Sequence, residues 1–309
     1  MSMASESMPA NSPPAPQSSA HPFAWSVRRE LWEHRSIYIA PLVVAGLVLF
    51  GFLVRVIHLQ QTMKMLGMLK PQELHLALAM PFGISAVAIG ITGLIVAFFY
   101  CLGALYNERR DRSILFWKSL PVSNTTVVLS KAAIPFLVLP AALFVTITAT
   151  QLIMLALGSA ALAATHMDAT ILWSSWPLFK MSLVLIYGLV AMTLWYAPIY
   201  GWVLLVSSWA RSKAILWAVL PPLGLCLAER IALDSSYLWS LLDYRLNGYL
   251  HEAFYFPPHP HGHEIGDPLA LLALTPEKFL VAPGLWLGLV FGVGCLAGAV
   301  WLRRSREAI

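Results

Sequence analysis

The sequence predicts an all-α integral membrane protein with six transmembrane helices, and three observations carry that prediction. Apolar residues make up 59% of the 309-residue chain and charged residues only 11%, an apolar share beyond that of soluble domains. Apolar runs recur that can cross a hydrocarbon core of about 30 Å, which takes about 20 helical residues. Lys and Arg also gather in alternate connecting segments.

Taken in chain order, residues 1–22 form a cytoplasmic tail rich in Ser, Pro and Ala. No basic n-region followed by an apolar stretch is present there, so the segment reads as a disordered tail and not a signal peptide. Residues 23–36, "FAWSVRRELWEHRS", interleave Phe23, Trp25, Val27, Leu31 and Trp32 with Arg28, Arg29, Glu30, Glu33 and Arg35. This reads as an amphipathic helix at the membrane interface, with an irregular polar lead-in as the alternative.

Residues 37–302 form the six-span transmembrane domain. Its spans are read as Ile37–Ile57, Phe82–Tyr106, Ile134–Leu157, Met181–Trp209, Ala214–Ala228 and Val281–Leu302. The fourth is longer than one perpendicular crossing and contains Pro198, which predicts tilt or a kink. The fifth is short and carries Pro221-Pro222, which predicts a break. Residues 303–309 are a second cytoplasmic tail.

Basic residues near span ends are retained on the cytoplasmic side. With both termini inside, that side holds Arg28, Arg29, Arg35, Arg109, Arg110, Arg112, Lys118, Lys131, Arg211, Lys213, Arg303, Arg304 and Arg306. The outer loops hold Lys64, Lys70, Arg230, Arg245 and Lys278. The net charge of +5 thus reflects topology and gives no reason to invoke nucleic acid. Carboxylates and histidines avoid the span centres, whereas a proton-coupled carrier ordinarily needs titratable groups at that depth. No G-x-x-x-x-G-K-[ST] phosphate loop occurs either, so an ATP-driven process needs a separate ATPase polypeptide.

Such a partner needs a cytoplasmic handle, and residues 107–131 form the one inner loop long enough to fold into one. Ser113 can cap a short helix, Ser113–Ser119, that ends before Pro121. Asp111 near its start and Lys118 near its end both suit the helix dipole. Ile114, Trp117 and Leu120 recur every three residues, with Leu115 and Phe116 adding bulk. The result is an apolar knob in a charged frame, suited to a partner's groove or to lipid headgroups. Ser123 supplies the cap of a following helix that carries Lys131 and runs into the third span.

The stretch "NERRDRSILFWKSLPVSNTTVVLSK" resembles the loop between the second and third spans of type-2 ABC exporter permeases. Their pattern is approximately E-[RK]-x-x-G-[TS]-x-x-x-L-x-x-x-P-[VIL]-S with a lysine further on. It is matched here at Glu108, Arg109, Ser113, Pro121, Val122, Ser123 and Lys131. It departs at Arg112, where glycine is frequent, and at Trp117, where a smaller aliphatic residue is usual.

The resemblance implies a non-catalytic permease subunit of a bacterial inner (plasma) membrane exporter. Such a subunit pairs with a second permease subunit, identical or homologous, and with two copies of an ABC ATPase that carry ATP and magnesium. The coupling residues it implies are Glu108, Arg109, Asp111, Arg112, Ile114, Leu115, Trp117, Leu120, Pro121 and Ser123. This chain would itself hold no cofactor and would contact, besides its protein partners, membrane lipids.

The outer segment 230–280 places Leu238, Leu241, Leu242, Leu246, Tyr249 and Leu250 at helical spacing, which predicts one or two short extracytoplasmic helices. It continues into "FPPHPHGHE", where His259, His261 and His263 alternate beside Glu264. Zinc or copper can use such ligands, though the spacing is not that of a closed catalytic site. In the third span Thr146, Thr150 and Gln151 belong to the most polar cluster at depth, lining either a pathway or a helix contact. Cys101, Cys226 and Cys295 fall within spans and indicate no disulfide framework. Two other classes therefore stand beside the permease: a self-contained secondary transporter, and a metalloenzyme or metal-handling protein using the His259–His263 loop.

Overall fold

The computed structural model describes residues 22–57, 71–111, 123–164, 168–255 and 273–305. Among the described residues the chain forms twelve α-helices, in chain order. They are α1 (Pro22–Glu33), α2 (Ser36–Ile57), α3 (Pro71–Ala104), α4 (Tyr106–Arg110), α5 (Asn124–Ala133), α6 (Leu139–Ala164), α7 (Thr170–Ser175), α8 (Leu178–Trp209), α9 (Ala214–Leu233), α10 (Tyr237–Ala253), α11 (Pro276–Val281) and α12 (Pro283–Ser305). A π turn, Ile134–Val138, joins α5 to α6. Phe254–Tyr255 (β1) and Ala273–Leu274 (β2) make one short antiparallel pair.

Among the described residues, six stretches are long and apolar enough to cross a membrane: Ser36–Ile57, Leu74–Arg110, Asn124–Ala164, Thr170–Trp209, Ala214–Leu233 and Pro283–Ser305. These are spans 1 to 6, and the protein is a multi-pass membrane protein by length and composition. Outward faces such as Leu42, Val43, Leu47 and Phe50 of span 1 and Leu287, Val290 and Val293 of span 6 are exposed, as lipid-facing surfaces are.

Prolines act less disruptively than the sequence predicts. Span 2 starts well before Phe82 and runs through Pro81. Span 5 is one continuous helix through Pro221 and Pro222, not a broken one. Pro222 has no N–H to offer the carbonyl of Ala218, and the Trp202 indole of span 4 donates to that carbonyl at 3.0 Å. A neighbouring helix thus replaces the missing bond, the usual route by which spans tolerate proline. In span 3, Pro140 likewise has no N–H for the carbonyl four residues back. The ladder widens just before it, and the Leu139 N–H reaches back to Ile134 O.

Spans 1 to 4 share one core, centred on Ile89, Ala97, Leu143, Ile147 and Leu204. Spans 4 and 6 form the most extensive helix pair. They meet through small residues: a Cβ on Gly201 would lie 2.8 Å from the Gly292 carbonyl oxygen, and one on Gly292 would lie 3.2 Å from that of Ala197. Without a lipid-versus-water driving force, such close backbone approach is what holds spans together.

Alternating spans bring α1, the C-terminal ends of spans 2, 4 and 6 and the N-terminal ends of spans 3 and 5 to one end of the bundle. At the other end α10, β1, α11 and α12 enclose a second core around Trp195, Phe254 and Phe279. Helix α10 falls where the leucine spacing predicts one.

Candidate functional site

The charged end of the bundle is built around Glu30 and Glu108, which are 2% and 7% exposed. Each arrives there for a local reason. In α1, Glu30 shares a face with Val27 and Leu31, whose side chains pack on the main core, so the carboxylate is carried inward with them. Glu108 sits on α4, which extends span 2 after the turn at Leu105. Lys131 follows from the Ser123 cap: the Ser123 hydroxyl accepts from the Thr126 N–H at 3.0 Å. That bond starts α5 in a phase that turns Lys131 into the bundle.

Lys131 Nζ lies 2.8 Å from Glu30 Oε1 and 3.1 Å from Glu108 Oε1. Arg303, near the end of span 6, donates to Glu108 Oε2 at 2.8 Å. Arg29 reaches Glu108 Oε1 at 3.0 Å and, on its outer side, Glu33 at 2.9 Å. Tyr100 of span 2 donates its hydroxyl to Glu30 Oε2 at 2.9 Å, and His34 stands edge-on to the Tyr100 ring. Three cations thus surround two carboxylates, with Glu33 offsetting the outermost. Buried charge is tolerated only when paired and hydrogen-bonded in this way.

Arg109 extends the network sideways. It is 4% exposed and donates to the carbonyls of Ser207 and Ala210, at 2.9 and 2.6 Å, where span 4 ends. The Ser207 hydroxyl in turn accepts from the N–H groups of Leu105 and Tyr106. The stem of the loop after span 2 is therefore tied to α1 and to spans 3, 4 and 6 by charged or bifurcated hydrogen bonds.

The sequence places Glu108 and Arg109 in the charged part of the loop, whereas both side chains are buried in the bundle. Asp111 is exposed and pairs with Arg110 at 3.1 Å. Arg112, Ile114, Leu115, Trp117, Leu120 and Pro121 lie outside the described residues, as do His259, His261 and His263. In span 3, Thr150 donates to the Thr146 carbonyl at 2.7 Å. Gln151, also buried, points its amide toward the Phe82 carbonyl at 3.4 Å. Thr150 and Gln151 thus face packed neighbours of the same chain.

Glu30, Glu33 and His34 bring ligand atoms within 4.8 Å of one another. A dication there would compete with Lys131 and Arg29 for Glu30, and the observed geometry is that of ion pairs. Glu30, Arg29 and Arg303 are the members that sequence reasoning missed. For Glu30 a signal existed: an acid on the apolar stripe of an amphipathic helix needs a buried partner.

Comparison of the chain with family models, with curated proteins and with solved structures gave no match.

Proposed function

We propose that this chain is the membrane-spanning permease subunit of an ATP-driven exporter of the type-2 ABC class. In this reading an ABC ATPase, holding ATP and magnesium, grips residues 107–123, and two permease subunits, identical or homologous, enclose the path. The membrane is the bacterial inner membrane, both termini are cytoplasmic, α1 lies at the inner interface and α10 on the outer side. The permease itself has no catalytic role.

One observation carries the reading: the buried ion network sits at the root of the loop that bears the motif. Glu108 leaves span 2 only a few residues before the knob and is held by Lys131 of span 3 and Arg303 of span 6. Arg109 is held by the end of span 4. A displacement of the loop would reach four helices at once through short charged contacts. Among the described residues, the buried charged side chains Glu30, Glu108, Arg109, Lys131 and Arg303 all lie at this end of the bundle. A secondary carrier, by contrast, needs titratable groups near the midplane. ATP binding would then act as a population shift between two packings of the spans.

The test is isolation of the tagged chain from its native membranes in mild detergent. It is expected to bring down a subunit that hydrolyses ATP. Trp117→Ala is expected to leave the chain in the membrane while separating hydrolysis from transport. A chain that purifies alone, or a variant that transports normally, would refute the assignment.

A further inference from the structure

Helix α1 has a second face that the ion network does not use. Arg28 is exposed, and its guanidinium lies 5.6 Å from the centre of the Trp25 ring and 5.0 Å from that of Trp32. Trp25 and Trp32 are 60% and 66% exposed. Phe23 stands exposed at the start of the helix and Arg35 just beyond its end. Neither Arg28 nor Arg35 forms an ion pair among the described residues. The acid on this side, Glu33, is already bound by Arg29.

The position of this face argues for its occupant. Only His34 and Arg35 separate α1 from span 1, so α1 lies within one turn of a membrane-crossing helix. Its exposed aromatics run on into Tyr38, Ile39 and Leu42, the outward surface of that span. Indole rings that flank a guanidinium match the headgroup level of a bilayer, where amphipathic aromatics and cations are both favoured. A cation left without a carboxylate there complements a negatively charged headgroup.

We propose that the outer face of α1 binds acidic phospholipid headgroups of the bilayer, seated on Arg28 between Trp25 and Trp32 with Arg35 as a second contact. The same helix carries Glu30 on its inner face. An occupied headgroup site therefore fixes the seat of α1 and holds Glu30 on Lys131 and Tyr100. The proposal rests on the interfacial placement of α1 and does not depend on an ATPase partner.

The test uses the full chain in nanodiscs of phosphatidylcholine with and without phosphatidylglycerol. A nitroxide is placed on Ala24→Cys, one turn from Arg28 on the same face; Cys226 is replaced by Ala, and Cys101 and Cys295 are buried. The label is expected at headgroup depth, and moves deeper when phosphatidylglycerol is present. Native mass spectrometry is expected to show preferential retention of phosphatidylglycerol. Arg28→Ser should reduce that preference about fivefold, while Arg304→Ser, an equal charge change at the same end, leaves it intact. Equal losses in both variants would reduce the effect to net charge and overturn the site. Displacement by soluble glycerol phosphate would make it a free-phosphate site and overturn it as well. A label exposed to water in both lipid mixtures would instead refute the interfacial placement and leave this face to a protein partner.

Discussion

Glu108→Gln is the most informative single change, because it removes the charge that three cations share while keeping the side chain's shape. Lys131, Arg29 and Arg303 approach Glu108 at 3.1, 3.0 and 2.8 Å. With Glu108 neutral, Lys131 keeps Glu30 and Arg29 keeps Glu30 and Glu33, whereas Arg303, itself 5% exposed, keeps no carboxylate among the described residues. Stranding a buried charge in this way costs about 3–5 kcal/mol. At about 2–4 °C per kcal/mol for a chain of a few hundred residues, the unfolding midpoint should fall by roughly 6–20 °C. The assay is thermal unfolding of the purified protein in one detergent, with Glu108→Gln, Arg303→Met and the double variant measured side by side. If the network is as described, the double variant recovers much of the loss, since the stranded cation has gone. Additive losses, or a Glu108→Gln midpoint equal to wild type, would refute a buried, mutually compensating cluster.

Other contacts give shorter tests. Gly201→Leu should weaken the span 4–span 6 pair by about 1–3 kcal/mol, whereas Gly294→Leu, where a Cβ meets nothing within 4 Å, should be silent; equal effects in detergent unfolding would contradict the packing. Trp202→Phe removes the donor to the Ala218 carbonyl and should cost about 1–3 kcal/mol. Adding Pro222→Ala, which restores a backbone donor, should return most of it, and no recovery would count against the substitution of one donor for another. Glu229 accepts from the Ser235 hydroxyl and from the N–H groups of Tyr237 and Leu238. Glu229→Gln should raise hydrogen exchange at the start of α10 and leave span 5 protected; uniform protection would show that α10 is held by its other contacts alone.

The spans were legible because twenty-residue apolar runs have few other uses, and the Ser123 cap because a hydroxyl before a helical run has a local purpose. The effect of proline was less legible. Pro221-Pro222 predicts a break, but the donor that compensates Pro222 belongs to Trp202, sixteen residues upstream of Ala218 on another helix. Burial of charge was equally hidden. Glu108 and Arg109 sit among Glu, Arg and Asp neighbours that resemble any solvated loop, and only the convergence of Lys131, Arg303 and the carbonyls of span 4 sets them apart. Those partners lie 23, 195 and about 100 residues away, beyond the reach of any local pattern. Within the stretch that bears the motif, the burial of Glu108 and Arg109 depends on tertiary contacts.

The meeting of Gly201 with Gly292 has a mechanical consequence. Side chains that interlock can exchange rotamers and let two helices slip, but backbone against backbone offers no such bearing. Spans 4 and 6 must therefore tilt as a single spar. Arg303 at the end of one and the Arg109-bound carbonyls at the end of the other are two fixings of the same beam. Any rearrangement of this bundle that keeps its helices folded then turns on the joints between that beam and spans 2, 3 and 5.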